Sequence, residues 1–242
     1  MVGSFTTMKN ITKAGILLTV LVAPALVYLF LRFGTENHFK LPRYLPKVDS
    51  TTGEPLMQKM LLPNGRKGMD TVYNHIPFWS MIDQNGQTAT NDLVKGRVYV
   101  ADFFFTRCGT ICPKLSSQVS RIQRIFKDNS AVRFLSFSVD PEHDKPAKLA
   151  EYARKYEAIP GKWYFLTGTK ADIYRLAMKG FYLPAVDAGI MNNRTPDETF
   201  VHSEKLVLVD KDGIVRGFYD GTDKEQVERL ILEIRVLLTI EQ

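Results

Sequence analysis

The pattern of apolar and polar residues separates an N-terminal apolar segment from a region of alternating short runs. Residues 14–31 contain eighteen residues without a charge. A helix needs about 20 apolar residues to cross the hydrocarbon core of a bilayer. A cleaved signal peptide would have a shorter apolar region followed by a small-x-small site, and the sequence after residue 31 does not fit such a site. The pattern predicts a single transmembrane helix as an anchor, within residues 1–33.

The stretch that follows is polar and has no sustained period. Residues 34–72 are rich in proline, lysine and glycine, which interrupt regular structure. The pattern predicts a juxtamembrane linker over 34–72 and a folded domain over 73–242.

Short apolar runs then alternate with amphipathic ones. Runs of β-branched and aromatic residues predict strands, and two of them flank a turn at 210–213 and form a hairpin. The predicted strands are 76–82, 97–105, 132–139, 163–166, 205–209 and 214–219. Apolar residues spaced by three and four positions predict helices. The predicted helices are 113–126, 146–156, 171–179 and 223–238.

This order of elements predicts an α/β protein. Strands that alternate with helices and end in a hairpin and a helix are typical of an αβα sandwich with a mixed central sheet. A thioredoxin-like fold has this order, although other α/β folds share it.

Composition and charge are those of a globular domain that follows a basic N-terminal segment. The hydrophobic fraction of 45% and the charged fraction of 24% are ordinary for a globular domain with a core. The net charge is +6, and half of that excess comes from Lys9, Lys13 and Arg32, because no acid precedes Glu36. Cations beside an apolar segment are expected on topological grounds, so the charge does not indicate a nucleic-acid partner.

Lys9 and Lys13 precede the apolar segment and favour a cytoplasmic N-terminus. Arg32 and three further cations on the other flank weaken this signal. The expected location is the inner (cytoplasmic) membrane, crossed once, with the C-terminal domain on the periplasmic side.

The two cysteines of the chain, Cys108 and Cys112, lie together where a predicted strand meets a predicted helix. Unsatisfied backbone N–H groups and the positive end of the dipole at a helix N-terminus favour a thiolate. Residues four apart share a helical face, so the two sulfurs can close a disulfide or bind one metal ion. A purely structural disulfide is a weak explanation, because so short a loop gives little chain-entropy stabilisation.

Two thiolates with an imidazole suit copper, whereas a structural zinc site usually takes four ligands. His38 lies in the predicted linker, and His75 and His143 lie in polar surroundings that are typical of surface residues. His202 follows a long polar stretch and precedes a predicted strand. Long irregular loops in compact domains are usually functional or disordered. A lone histidine at a strand entrance is nevertheless a structural residue more often than a ligand, so the residues alone leave the third ligand open.

Four motifs in order resemble the Sco/SenC family of copper chaperones. They are a C-x-x-x-C-P motif after a strand at 104–113, S-V-D-P-x-x-D-x-P at 138–146, Leu-Thr-Gly-Thr at 166–169, and a histidine before a strand that ends in D-x-x-G at 210–213. The resemblance covers about residues 73–240. Gly109 is a departure, because many relatives carry proline or another residue there, and glycine would loosen the loop between the sulfurs.

The resemblance implies a thioredoxin-like fold behind an N-terminal anchor, and copper, as Cu(I) or Cu(II), bound by Cys108, Cys112 and His202. It implies a metallochaperone that assists assembly of the binuclear copper site of cytochrome c oxidase, with a redox-active cysteine pair and thiol–disulfide reductase activity as a further capacity. The expected partners are the copper-site subunit of that oxidase or another copper chaperone, and the membrane. Asp140 matches an acid of the family motif and is expected to support the site or partner docking.

Three alternatives keep the same fold. A thiol–disulfide oxidoreductase without a metal would usually carry C-x-x-C preceded by tryptophan, whereas Arg107 precedes the pair here and three residues separate the cysteines. A peroxiredoxin-type peroxidase needs threonine three residues before its cysteine, and Thr106 stands two before Cys108. A binding module with an incidental disulfide is the third alternative.

Overall fold

The structure is a computed structural model that describes residues 4–30, 41–61, 65–183 and 204–240. The chain divides into two compact units, Met1–Lys40 and Leu41–Gln242. The first contains helix α1, Ser4–Leu29, which includes Pro24. Across the residues described here, no helix combines the length and the hydropathy that crossing a membrane requires. The transmembrane anchor stays a prediction.

The second unit starts well before residue 73, in the stretch expected to be an irregular linker. Strands β1, Met57–Leu61, and β2, Lys67–Thr71, pair antiparallel with Met57 opposite Thr71. Leu41 is buried, and its carbonyl accepts a hydrogen bond of 2.6 Å from the guanidinium of Arg216. The sequence pattern missed this hairpin because β1 is exposed along its whole length, so burial imposes no alternation on it.

Within the described residues, seven strands form the main sheet in the order β4-β3-β7-β6-β5-β8-β9. Strands β5, β6 and β7 are parallel, whereas β3 and β8 run antiparallel to their central neighbours. The bounds are β3 Ser80–Asp83, β4 Thr88–Thr90, β5 Val98–Phe104, β6 Val132–Ser138, β7 Trp163–Thr167, β8 Lys205–Val209 and β9 Val215–Asp220. The predictions of an α/β fold with a mixed sheet and of the 205–219 hairpin are confirmed.

Four helices of the second unit follow the predicted order. They are α2 Ile111–Ile125, α3 Pro146–Lys155, α4 Lys170–Arg175 and α5 Lys224–Ile240. Helix α4 is shorter than predicted because the chain widens into a π-turn over Leu176–Gly180, where the amide of Phe181 donates to the carbonyl of Leu176 at 3.1 Å. A side chain at Gly180 would crowd its neighbours, because its Cβ would lie 2.9 Å from Cδ1 of Leu176 and 3.0 Å from Cδ of Pro77.

The two faces of the central strands carry separate aromatic clusters. On one face Phe104 packs against Tyr152 of α3, with ring centroids 5.0 Å apart. On the other, Phe103 stacks on Phe137 at 5.2 Å and meets Phe181 edge-on. Because side chains alternate along a strand, Asp102 lies on the same face as Phe104, the face covered by α3. Ser116 of α2, the helix that contains Cys112, hydrogen-bonds to Tyr152 on this face.

Candidate metal centre

Strand β5 and helix α2 together place the two cysteines. Every residue of β5 is buried, and six residues separate its end at Phe104 from the start of α2 at Ile111. Cys108 lies in the connecting loop and Cys112 is the second residue of α2. Both thiols are free and buried, with exposed fractions of 9% and 6%. The expected junction of strand and helix is confirmed.

The sulfur of Cys108 accepts hydrogen bonds from the start of α2. The backbone amide of Cys112 donates to it at 3.3 Å. Burial by itself raises the pKa of Cys108, but the hydrogen bonds from the backbone amides that follow it, that of Cys112 foremost, leave its pKa below the ordinary value. Hydrogen bonds and the helix dipole both stabilise the thiolate, which is the form that binds metals and attacks disulfides.

Cys112 is the opposite case. Burial raises its pKa well above the ordinary value, and the charges of Cys108 and Asp102 raise it further, against a hydrogen bond from the backbone of Phe105. The thiol therefore keeps its proton until a partner, a metal ion or a neighbouring base, takes it. The site combines one acidic thiol with one that resists ionisation.

A buried carboxyl lies beneath this site. Asp102, in the middle of β5, is 3% exposed, and Oγ of Ser136 on β6 donates to it at 2.6 Å. Nε1 of Trp163 donates in turn to that hydroxyl at 2.9 Å. Burial raises the pKa of Asp102 to about 7, although the Ser136 hydrogen bond lowers it. An acid within an apolar strand was not recognised as a site residue from the sequence, although its charge alone marks it as unusual in a fully buried strand.

Asp144 fixes the loop that carries Cys108. Its carboxylate accepts hydrogen bonds from the backbone amide of Thr106 at 3.0 Å and from the Thr106 hydroxyl. Oγ of Ser138 donates to the same carboxylate at 2.6 Å. Asp144 is fully buried, so the loop before the cysteine is bound to the segment after β6 by a group that cannot exchange these partners for water.

Asp140 makes a second link to the same loop. The guanidinium of Arg107 donates to its Oδ2 at 3.1 Å from Nε and at 2.6 Å from a terminal nitrogen. Asp140 is buried, whereas the side chain of Arg107 is 47% exposed. The expectation that Asp140 supports the site thus receives a structural basis, an ion pair to the residue that precedes Cys108.

The structure brings together the two predicted sulfur ligands, whereas His202 lies outside the described residues. His75 and His143 are both exposed, so their expected surface positions are confirmed. Nδ1 of His75 lies 2.7 Å from the carbonyl of Asp212. His38 also lies outside the described residues. In the part of the chain that the structure describes, no three His, Cys, Asp or Glu side chains are grouped as a metal site.

The sequence model of the SCO1/SenC family matches residues 69–239. The SCO1 protein homolog of Bacillus subtilis is 31% identical over 178 residues, which are 73% of this chain and 89% of that protein. A Stutzerimonas stutzeri protein whose name proposes copper binding is 33% identical over 144 residues, 59% of this chain and 67% of that protein.

Solved structures agree with this match. A SCO1/SenC family lipoprotein of Bacillus anthracis has a TM-score of 0.60 at 28% identity and covers 68% of this chain and 95% of its own. BsSco, a Sco family member in which a disulfide switch was identified, has a TM-score of 0.57 at 32% identity and covers 68% of this chain and 94% of its own. A copper-bound ScoI of Bradyrhizobium japonicum, at 24% identity, shares the fold with a TM-score of 0.55 over 68% of this chain and 99% of its own. With its family model matched over most of the folded unit, the chain belongs to the SCO1/SenC family.

Proposed function

We propose that this protein is a membrane-anchored copper chaperone that binds copper through Cys108, Cys112 and His202 and assists assembly of the copper site of cytochrome c oxidase. The observation that carries the proposal is the pair of free, buried thiols at the start of α2. Two soft sulfur ligands select copper over hard cations. Copper is here the cargo of the protein.

The direction of β8 supports His202 as the third ligand. Ala101 of β5 lies opposite Val207 of β8, and β8 runs antiparallel to β5, so β8 begins at the edge of the sheet where β5 ends. Cys108 follows that end of β5. His202 is three residues before Lys205, the first residue of β8, and three residues span at most about 10 Å. The two histidines within the described residues, His75 and His143, do not precede β8 in this way.

Unequal acidity suits the loading and release of copper. The Cys108 thiolate is available as the first ligand, and the proton of Cys112 leaves only as the metal replaces it, so loading releases protons. An acceptor with its own thiolates then displaces one ligand at a time. A disulfide between the two cysteines has no thiolate to offer, so the redox state controls loading.

Copper binding by the full chain in detergent tests the ligand set. We expect one copper per reduced chain, abolished by Cys108→Ser and Cys112→Ser. His202→Ala should weaken affinity by more than the about 10–100-fold that the loss of an outer-shell partner costs. His75→Ala is the matched control, because His75 pairs with Ile214 at the opposite edge of the sheet, and it should bind copper as the wild type does. Unchanged affinity in His202→Ala would exclude His202 as a ligand.

A thiol–disulfide oxidoreductase is the second candidate, and one observation favours it. One acidic thiol next to one that resists ionisation suits nucleophilic attack by Cys108 and later resolution by Cys112. This function is distinguished by the same variants: a reduced wild-type chain that binds no copper but reduces a disulfide substrate would replace the chaperone with the oxidoreductase.

The anchor and its orientation are part of the proposal. The apolar segment and the cations before it support a single crossing with the folded unit in the periplasm. Protease added to spheroplasts should digest the folded unit, whereas intact cells should protect it. Protection in spheroplasts would contradict the orientation.

A further inference from the structure

Exposed apolar side chains are concentrated in one short part of the folded unit. Among the described residues from 41 onward, twelve large hydrophobic side chains are exposed, and seven of them lie between residues 44 and 69. These seven are Tyr44, Val48, Leu56, Met57, Met60, Leu61 and Met69. Exposed apolar side chains that are grouped rather than scattered singly point to an interaction site.

The register of β1 and β2 sorts these side chains onto faces. Met69 lies opposite Lys59, and Lys67 lies opposite Leu61. Because alternate residues share a face, Met57, Lys59 and Leu61 lie on the same face as Lys67 and Met69. All five are exposed. We call this set the hairpin face. It alternates apolar and cationic residues.

The acid of the hairpin is on the other side. Asp70 is the register neighbour of Gln58, so it lies on the face of Met60, and its carboxylate accepts a hydrogen bond from Arg43 at 3.3 Å. The paired residues of the hairpin face therefore carry positive charge without a carboxylate to neutralise it.

We propose that the hairpin face rests on a lipid bilayer with anionic headgroups. Methionine and leucine side chains can enter the boundary between headgroups and acyl chains while lysine ammonium groups meet the phosphates. Each lysine near an anionic surface adds an attraction. A protein partner is the poorer match, because protein–protein interfaces are depleted of lysine.

Chain length keeps this face near the membrane, and here the inference rests on the proposed anchor. The apolar segment ends at residue 31 and the folded unit begins at Leu41, so the connection spans at most about 36 Å. A weak surface affinity is enough under such a tether, because the effective concentration of the bilayer is high.

Docking through the hairpin has a consequence for the cysteines. The segment that carries the hairpin is fixed to the turn between β8 and β9, where the amide of Tyr44 donates to Val215 at 2.9 Å and that of Ile76 to Gly213 at 2.8 Å. Val209, at this end of β8, lies opposite Tyr99 at the start of β5. The cysteines follow the other end of β5, about 20 Å away along the strand. The docked domain presents its copper site to the aqueous side.

Quenching by lipids with brominated acyl chains tests the proposal on the full chain. The protein is reconstituted into vesicles of phosphatidylcholine with phosphatidylglycerol, and Met69→Trp provides the reporter. The native Trp79 and Trp163 are 4% and 0% exposed and give a constant background. Glu142→Trp is the matched control, because Glu142 is exposed and lies in the loop after β6, at the end of the sheet where β5 also ends and away from the β8–β9 turn that holds the hairpin segment.

We expect brominated lipid to reduce the emission of Met69→Trp and to leave that of Glu142→Trp unchanged. Lys59→Glu with Lys67→Glu should remove the quenching, and so should vesicles without phosphatidylglycerol. Equal quenching of both reporters, no quenching of Met69→Trp, or quenching that survives the charge reversals overturns the proposal. Protection of the hairpin face only in native membranes would assign it to a protein and would also overturn it.

Flotation of the same samples separates the two hypotheses. A chain that floats with vesicles in high salt while Met69→Trp stays unquenched has an anchor but no docked hairpin. A chain that does not float lacks the anchor and overturns both membrane proposals. Copper binding is measured independently, so its failure leaves the docking result standing.

Discussion

The unequal thiols of this protein follow from where each sulfur lies relative to the start of α2. Cys108 precedes the helix, and its sulfur receives backbone N–H donors that stabilise a negative charge. Cys112 lies inside the first turn, where burial dominates and the charges of Cys108 and Asp102 disfavour a second anion. A separation of four residues is thus enough to give the same chemical group two different acidities.

Titration of the reduced protein should resolve the two thiols. Thiolate absorbance is expected to appear in two steps, the first below the ordinary cysteine range and the second well above it. Cys112→Ser should keep the first step, and Cys108→Ser should keep only the late one. Two steps that coincide near the ordinary value would contradict the assigned environments.

Asp102 makes folding stability depend on pH. Its pKa of about 7 in the fold exceeds the value of about 3.8 in an unfolded chain, so the folded state holds the proton more tightly. Below both values the carboxyl is protonated in the folded and the unfolded state, so it does not change the free energy of unfolding with pH. Between pH 4 and 7 the unfolded state loses its proton first, and stability falls as pH rises.

Asp102→Asn should remove this cost while its amide oxygen still accepts from Ser136. We expect the variant to be more stable than the wild type by about 1–4 kcal/mol at pH 8, with the difference vanishing near pH 4. Urea unfolding at the two pH values measures it. Ser136→Ala serves as the control, since it removes the hydrogen bond but keeps the carboxyl and should lower stability at both.

At the scale of elements, the connection between β5 and α2 is held from outside by the segment that follows β6. Asp144 receives two hydrogen bonds from Thr106, and Asp140 pairs with Arg107. The carboxylates of one loop thus position the residues immediately before Cys108. The two acids of the S-V-D-P-x-x-D motif therefore hold the loop that leads into the cysteine motif.

Asp144→Ala should leave the amide and hydroxyl of Thr106 and the hydroxyl of Ser138 without their buried partner. We expect a loss of about 3–5 kcal/mol in the free energy of unfolding, because three groups lose a partner and each unsatisfied buried group costs about 1–3 kcal/mol. Copper should dissociate faster from the variant. Asp172→Ala is the control for a carboxylate at an exposed position, because water can replace the hydrogen bonds that it accepts from the Thr169 hydroxyl and from Arg175.

At the scale of the whole molecule, a buried ion pair joins the start of the folded unit to the last hairpin. Arg216 pairs with Asp210 at 3.0 Å and also donates to the carbonyls of Leu41 and Pro42. The chain that emerges from the proposed anchor is therefore fixed to β9 before it reaches the β1–β2 hairpin. Proposed docking at the membrane depends on this fixed start.

Arg216→Met keeps the apolar stem but leaves Asp210 buried without its partner. Breaking a buried pair on one side costs about 3–5 kcal/mol. Amide hydrogen exchange of residues 41–48 should also become faster. Arg124→Met removes an exposed ion pair to Glu157 and should change stability by no more than about 1 kcal/mol. Equal effects of the two substitutions would show that the Arg216 pair is not a structural tie.

The sequence by itself determined the elements that bury a strong apolar pattern. Strands β5, β6 and β8 and helices α2, α3 and α5 were predicted within one or two residues. The strands are short continuous runs of β-branched and aromatic residues, and the helices repeat apolar residues at helical spacing. It also placed the cysteine pair at a strand–helix junction. The β1–β2 hairpin escaped prediction because its strands bury too little to impose a pattern. The end of α4 escaped prediction because no local pattern marks the π-turn over Leu176–Gly180.

Only the tertiary structure decided what surrounds the cysteines. Asp102, Thr106, Asp140 and Asp144 are separated by up to 42 positions along the chain, and no local pattern relates them. Their effects arise from burial and hydrogen bonds that exist once the central strands pair. The sequence supplied two sulfurs with the right spacing, and the fold gave them unequal acidity, because a pKa depends on the groups that packing brings near.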